Sequence, residues 1–423
     1  MTVAQIISVT VFLVTLALVI SEKVNRALAA LAGAVVLLIL HVVSFEQAMD
    51  HVDLNTLGVL LGMMLFVAVV KRSGVFEYLA IRCAQIAQGH PWRIMALLMA
   101  LTACLSAFLD NVTTVLLVGP VTLTLCRLLN LHPVPFFLAE ILSSNIGGTA
   151  TLIGDPPNIM IGSAAKLTFA DFLAVDGPAV LAALAAVMAV FYFVYGRSME
   201  KCPRNPGVVM ALNPADYIKD KRLMRLSVAL TGCVVLGFVF HGALGLESCV
   251  IALAAAAAIL LLSRTSIEEA LSQVEWVTLA FFTGLFVIVG ALTETGVIGM
   301  VAQGIMGATG GNAFATMLVL LAGSALVSAF LDNIPFVATM IPILLSLQAG
   351  GMDVMPLWWA VSLGACLGGN GSLIGASANV VLADISKQNG HPITFAQFFR
   401  VGFPCMLLTV GIAAVYLMVR FPA

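Results

Sequence analysis

Ser106–Pro120 reads SAFLDNVTTVLLVGP, and Ser328–Pro342 reads SAFLDNIPFVATMIP. Each sets an acid beside an amide, Asp110-Asn111 and Asp332-Asn333, inside an otherwise apolar run. The six residues SAFLDN are identical in both copies, 222 positions apart. An acid at the centre of a membrane helix costs about 2.5–3.5 kcal/mol on insertion scales, so one that persists there marks function. Two copies point to a site assembled from two halves.

The surroundings confirm the setting. Apolar residues make up 61% of the 423 residues and charged residues 9%, where soluble domains carry roughly 25% charged residues. The composition is that of a polytopic membrane protein. A net charge of −2 argues against nucleic-acid binding. No basic segment precedes the first apolar run, Ile6–Ile20, and no small-residue cleavage pattern follows it, so a retained helix is expected. The eight cysteines show no C-x-x-C spacing, which indicates neither a zinc site nor a disulfide framework.

A crossing helix needs about 20 apolar residues. Candidate runs lie at 4–20, 26–42 and 54–70. A longer run, 92–130, is broken at Leu109–Thr114. The next, 134–165, is broken by Gly147-Gly148 and by Gly154-Asp155-Pro156-Pro157, and 177–195 closes the set. After a polar linker, 196–225, the order returns: 226–241, 247–262, 276–292, 312–349 broken at Leu331–Pro335, 357–383 broken at Gly368–Gly371, and 402–420.

The second set repeats the first in detail. Phe45-Glu46-Gln47-Ala48 matches Ile267-Glu268-Glu269-Ala270, and Val52-Asp53 matches Val274-Glu275. Gly62 matches Gly284, Leu152-Ile153-Gly154 matches Leu373-Ile374-Gly375, and Thr168-Phe169-Ala170 matches Thr394-Phe395-Ala396. Chance likeness among apolar segments does not keep such blocks in one order.

The run 92–130 is too short for two crossings and a connector. It suits a re-entrant hairpin that enters and leaves on one side. Each repeat then holds five crossings and a hairpin, and an odd number of crossings makes the repeats inverted. The expected fold is an all-α polytopic membrane protein with helices broken at the midplane. Repeat 1 spans 1–195, with scaffold helices in 1–90 and transport elements in 91–195. Repeat 2 spans 226–423, divided as 226–311 and 312–423. With the N-terminus outside, 17 of the 19 Lys and Arg residues fall on the inner side, Arg204 among them; only Lys166 and Arg420 fall outside. That places both termini on the periplasmic or extracellular side of a cytoplasmic membrane and the linker in the cytoplasm.

No Lys, Arg or His is expected in the hydrocarbon. The candidate buried acids are Asp110, Glu140, Asp155 and Asp332, with Asp176, Glu294 and Asp384 near boundaries. The plain reading of the tips is that Asp and Asn cap broken helices. Both copies keep the acid–amide pair, however, where one cap residue suffices. The second polar string is Asn145–Asn158, NIGGTATLIGDPPN, paired with Gly368–Asn379, GGNGSLIGASAN. Close packing of small residues explains Gly147 and Gly148 on their own, but requires neither Asp155 nor Pro156-Pro157. Asp155 aligns with Ala376, so it is a one-sided acid and a candidate proton or cation carrier. Cys104, Cys126 and Cys366 lie near these breaks; buried packing is the commoner role of a free thiol.

At these motifs the chain resembles the ion transporter superfamily over essentially its whole length. Within it, the chain is similar to the arsenite/antimonite efflux pumps and to the melanosomal P protein; sodium–proton antiporters and dicarboxylate carriers are more distant relatives. The resemblance implies paired hairpins, a scaffold, and a mobile transport part moving as an elevator, often in a homodimer. A cytoplasmic ATPase partner accompanies some arsenite efflux systems. By the same resemblance, Asn111, Thr113, Gly148, Thr149, Thr151, Asn158, Asn333, Asn370, Ser372 and Asn379 would bind substrate, while Asp110, Asp155 and Asp332 would couple the ion. Carboxylate carriers place Ser-Asn-Thr at the tips; here Asp replaces that Ser.

A dianion beside these acids, with no basic residue near, would lack charge compensation. Export of arsenite or antimonite against inward proton movement is therefore the leading expectation. The partners are a small inorganic solute, a coupling ion (H+, with Na+ as the alternative) and the bilayer; no cofactor or metal is called for. A sodium–proton antiporter and a chloride or carboxylate carrier are the alternatives. An intramembrane aspartyl protease would use the same acids, but its Gly-x-Gly-Asp context is absent and its chemistry has no need of an inverted repeat.

Overall fold

The computed structural model describes residues 1–21, 23–201 and 206–422. Arg204, counted above with the inner-side cations, lies outside them. Helices are the only regular elements among the described residues. Among the described residues of the first half there are nine major helices: α1 Val3–Ser21, α2 Arg26–Ile39, α3 Leu54–Lys71, α4 Val75–Ile86, α5 Pro91–Ser106, α6 Asn111–Leu128, α7 Val134–Gly148, α8 Pro156–Ala165 and α9 Phe169–Phe191. Nine follow in the same order: α10 Lys221–Leu244, α11 Ser248–Ser263, α12 Trp276–Glu294, α13 Val297–Thr309, α14 Ala313–Ser328, α15 Asn333–Ala349, α16 Met355–Gly368, α17 Ser377–Gln388 and α18 Phe395–Arg420. Among the described residues, seven helices are long and apolar enough to cross a membrane, or up to eight if a pair bent by 114° (α13 and α14) is taken as one span. The chain is a multi-pass membrane protein.

Helix ends follow local chemistry. Ser44 caps the short helix Phe45–Asp50 in a reciprocal box with Gln47, and Thr168 caps α9 in the same way with Asp171. Two expected starts prove late. The runs 177–195 and 402–420 belong to longer helices that begin at Phe169 and Phe395. Pro178 and Pro404 sit inside these helices rather than at their starts. Asp176, expected near a boundary, is fully buried within α9. That helix continues through a wider turn, Tyr192–Gly196, to Met199.

Sequence reasoning gave no element to α4 or α13. Both are short. In α4, Val75, Phe76, Ala80, Ile81 and Ala84 are buried while Arg82 is exposed, the pattern of a helix lying along an interface. The connecting segment is tied to α4: Lys219 N–H donates to Ser73 O at 3.1 Å, Gln85 Nε2 donates to Leu212 O at 2.7 Å, and Lys219 pairs with Glu77 at 3.4 Å.

Packing repeats along with the element order. Helix α2 lies against α12, and α3 against α11. A Cβ on Gly284 would stand 2.6 Å from the Ala30 carbonyl carbon; on Gly62 it would stand 2.5 Å from that of Ala252. The two crossings use equivalent positions, and only glycine lets the backbones meet so closely. Helix α5 packs on α7 as α14 packs on α16. Each long-paired helix of α2, α3, α11 and α12 thus finds its partner in the other half of the chain.

Candidate functional site

Four breaks in helices converge on one small cavity. The first lies between α5 and α6, where Asp110 caps α6 and accepts from Thr113 N–H at 2.9 Å. The second lies between α14 and α15, where Asp332 accepts from Ile334 N–H at 3.1 Å. Both acids therefore cap helices, as the plain reading held. The third and fourth are the unwound segments between α7 and α8 and between α16 and α17. The cavity, of about 30 Å³, is lined by Arg26, Asp110, Asn111, Asp155, Glu275 and Asn333, among others. That is room for one or two waters.

Asp155 is the centre of the arrangement. It occupies the N-cap position of α8 but makes no side-chain cap bond. The reason is local: Pro156 and Pro157 have no N–H to offer, and the next one, of Asn158, is taken by the Asp155 carbonyl at 3.0 Å. The carboxylate is left facing the two tips. Asn111 Nδ2 donates to Oδ1 at 3.4 Å, and Asn333 Nδ2 donates to Oδ2 at 3.1 Å. Asp155 is 1% exposed and both asparagines are buried. One carboxylate thus ties together the two tips.

A buried amide network backs this centre. Asn145 Oδ1 accepts from Asn111 at 3.2 Å, and its Nδ2 reaches Asn370 Oδ1 at 2.9 Å and Asn379 Oδ1 at 2.8 Å. Asn158 spends both amide hydrogens on the carbonyls of Thr149 and Thr151, at 3.1 and 3.0 Å. Asn379 does the same with Gly369 and Ser372, at 2.8 and 2.9 Å. The hydroxyls of Thr151 and Ser372 donate to the carbonyls of Ala107 and Ala329. Thr149 Oγ1 donates to Asn145 O at 2.8 Å. Unwound backbone inside a membrane protein must have its polar groups met, and these side chains meet them.

The expected site residues therefore divide. Asp110, Asn111, Asp155 and Asn333 line the cavity. Asp332 lies beside it, in an adjoining cavity of about 340 Å³. Thr113, Thr149, Thr151, Asn158, Asn370, Ser372 and Asn379 hold the surrounding backbone and one another. Gly148 allows close approach: a Cβ there would stand 2.6 Å from Gly154 O. Cys366 is buried with Sγ 3.5 Å from Asn158 Oδ1, Cys126 is buried, and Cys104 is exposed. Glu140 is buried and accepts from Thr122 Oγ1.

The expectation that no basic residue lies near the acids is overturned. Arg26, the first residue of α2, lines both cavities. Its guanidinium donates to Ser377 Oγ at 2.8 Å and to Thr278 Oγ1 at 3.0 Å, and stands 3.8 Å from Asp332. Ser377 Oγ in turn donates to Asp332 at 2.9 Å, and Thr278 Oγ1 to Glu275 at 2.9 Å. In the sequence Arg26 opens an apolar run, the usual place for an interfacial cation. Nothing local distinguishes it. Asn145 and Ser377 had a signal, since both fall inside the two quoted polar strings.

Paired helix breaks, buried acids and amides, and a helix order used twice define a membrane transporter rather than a soluble protein or a simple anchor. Comparison with known proteins agrees. Residues 16–364 match the profile of the CitMHS citrate transporter family, and the chain belongs to that family. An uncharacterized transporter of Mycobacterium bovis is 42% identical over 99% of both chains, and a 46 kDa membrane protein of Mycobacterium leprae is 40% identical over the same share. The mouse P protein is 35% identical over 95% of this chain and 58% of its own. The fold is similar to that of the YdaH transporter of Alcanivorax borkumensis, with a TM-score of 0.61 at 15% identity over 98% of each chain.

Proposed function

We propose that the chain is a secondary active carrier that exchanges a small neutral oxyacid, arsenous or antimonous acid, for protons across the cytoplasmic membrane. The observation that carries this reading is the Asp155 carboxylate held between Asn111 and Asn333. An ionised Asp155 is an acceptor for solute hydroxyl groups, and the two amides present donors and acceptors to the solute's oxygens. A proton on Asp155 turns one of its oxygens into a donor and leaves the other a weaker, uncharged acceptor. Solute and proton then compete for one carboxylate, and such competition is what exchange requires. The charge balance favours a neutral solute. Asp110, Asp155 and Glu275 line the cavity, and the one guanidinium is already bonded to Ser377 and Thr278 beside Asp332. In this reading the tips belong to re-entrant hairpins in inverted repeats, the termini lie outside, and the transport elements move as an elevator against the scaffold.

The experiment is flux in proteoliposomes under an imposed pH gradient. Arsenite movement that follows the gradient supports the proposal; none, with citrate or sodium moving instead, overturns it. A second reading is favoured by Arg26 and by the description of the family: a carboxylate such as citrate, carried together with cations that balance the acids.

A further inference from the structure

Two buried acids, Glu140 and Asp176, stand apart from the cavity. Asp176, in α9, is 0% exposed, and its Oδ1 has no hydrogen-bond partner. Its Oδ2 is 2.7 Å from Ser362 Oγ of α16, and that same hydroxyl is 2.8 Å from Asn158 Oδ1. The orientation of Asn158 is fixed, because both its amide hydrogens are spent on Thr149 and Thr151. Its Oδ1 therefore only accepts.

A proton count follows. Ser362 has one hydroxyl hydrogen and two oxygens at hydrogen-bond distance. If Asp176 were ionised, one of these two contacts would place lone pair against lone pair in a buried site. A proton on Asp176 resolves both: Asp176 donates to Ser362, and Ser362 donates to Asn158. The unpartnered Oδ1 agrees, since an ionised oxygen left unmet in the interior costs more than a neutral carbonyl. No ion pair found among the described residues includes Asp176. The titratable groups facing it from packed helices are Cys366 of α16 and Tyr416 of α18. On the other helices packed against α9, Glu140 of α7 is bonded to Thr122, and His241 of α10 has Nδ1 2.6 Å from Phe238 O.

We propose that Asp176 is a second proton-binding site of the carrier, linked through Ser362 to Asn158, the side chain that holds the unwound segment ending at Asp155. With Asp176 protonated, Ser362 donates to Asn158 Oδ1, beside the Cys366 thiol, whose Sγ is 3.5 Å from the same oxygen. When Asp176 gives up its proton, Ser362 turns to the new carboxylate and Asn158 Oδ1 keeps only the weak thiol donor. The amide of Asn158 is bonded to the Thr149 and Thr151 carbonyls, so the state of Asp176 reaches the backbone that positions Asp155, a coupling between sites.

The inference rests on the reading of the chain as a proton-coupled carrier, so its test includes a measurement that needs no flux. Infrared difference spectra of the purified protein near neutral pH report the carbonyl stretch of protonated carboxylic acids. The expected result is a band that disappears in Asp176→Asn and shifts in Ser362→Ala. In proteoliposomes, Asp176→Asn is expected to move one proton fewer per solute and to show a shallower pH profile. A spectrum unchanged in both variants overturns the proposal, as does an unchanged proton count with an unchanged pH profile. Should Asp176→Asn fail to fold, the Ser362→Ala shift decides alone. Failure of arsenite flux with the band present sinks the proposed solute and leaves this site standing.

Discussion

Asn333 reaches across from the second half of the chain to Asp155 in the first, Nδ2 to Oδ2 at 3.1 Å. A hydrogen bond to an ionised group contributes about 1.5–3 kcal/mol. Asn333→Ala is expected to cost about that much and to lower the thermal midpoint in detergent. Asn333→Asp is expected to cost more, because it sets a second carboxyl against the first. An Asp variant as stable as the wild type near neutral pH would show that the two carboxyls share a proton there and do not repel.

Asp155→Asn keeps the shape of the side chain and removes its ability to take a proton. Gradient-driven accumulation of solute is expected to fall to the background of empty vesicles. Solute-for-solute exchange without a gradient is expected to persist at reduced rate. Full gradient-driven uptake in this variant would remove Asp155 from the coupling step.

Arg26 separates the two readings of the solute. For a neutral oxyacid, Arg26→Lys is expected to change KM less than threefold while lowering stability. For a carboxylate bound by the guanidinium, KM is expected to rise at least tenfold, about 1.4 kcal/mol. Concentration-dependent uptake of arsenite and of citrate by the two proteins distinguishes the cases.

Gly62 and Gly284 test the packing of the paired helices. Gly284→Val and Gly62→Val press a side chain against the backbones of Ala30 and Ala252. Overpacking of this kind costs typically 1–3 kcal/mol. Gly299→Val, where nothing lies within 4 Å, is expected to leave the thermal midpoint nearly unchanged.

The parts of this molecule legible in its sequence are those set by one-dimensional physics. Length of apolar run fixed the long helices, so that α3 and α12 fall within two residues of expectation. Gly-Gly and Pro-Pro announced the breaks between α7 and α8, and the SAFLDN copies announced the tips. Three features escaped for different reasons. Helix α4 is too short and too polar to register as a span. Asp176 precedes Gly177-Pro178, and that triplet reads as the start of a helix although Pro178 is carried inside one. Arg26 escaped because its role depends on Ser377 and Thr278, which are remote in sequence and near only in space. Asp155 was picked out as a lone acid. Pro156 and Pro157 already show that the first two helix positions offer Asp155 no N–H to cap; that its carboxylate meets the amides of both tips is visible only in the folded chain.

The exchange of partners between α2–α12 and α3–α11 bears on how the protein is made. The early helices enter the bilayer with glycine and alanine faces that match helices the ribosome has not yet produced. Until α11 and α12 are inserted, those faces lack their native partners, and the native crossings cannot close. The first half of the chain is therefore an unfinished surface during synthesis, and its last assembly step waits on the second half. A truncation after the connecting segment would leave Gly62 without Ala252, and Ala30 without Gly284.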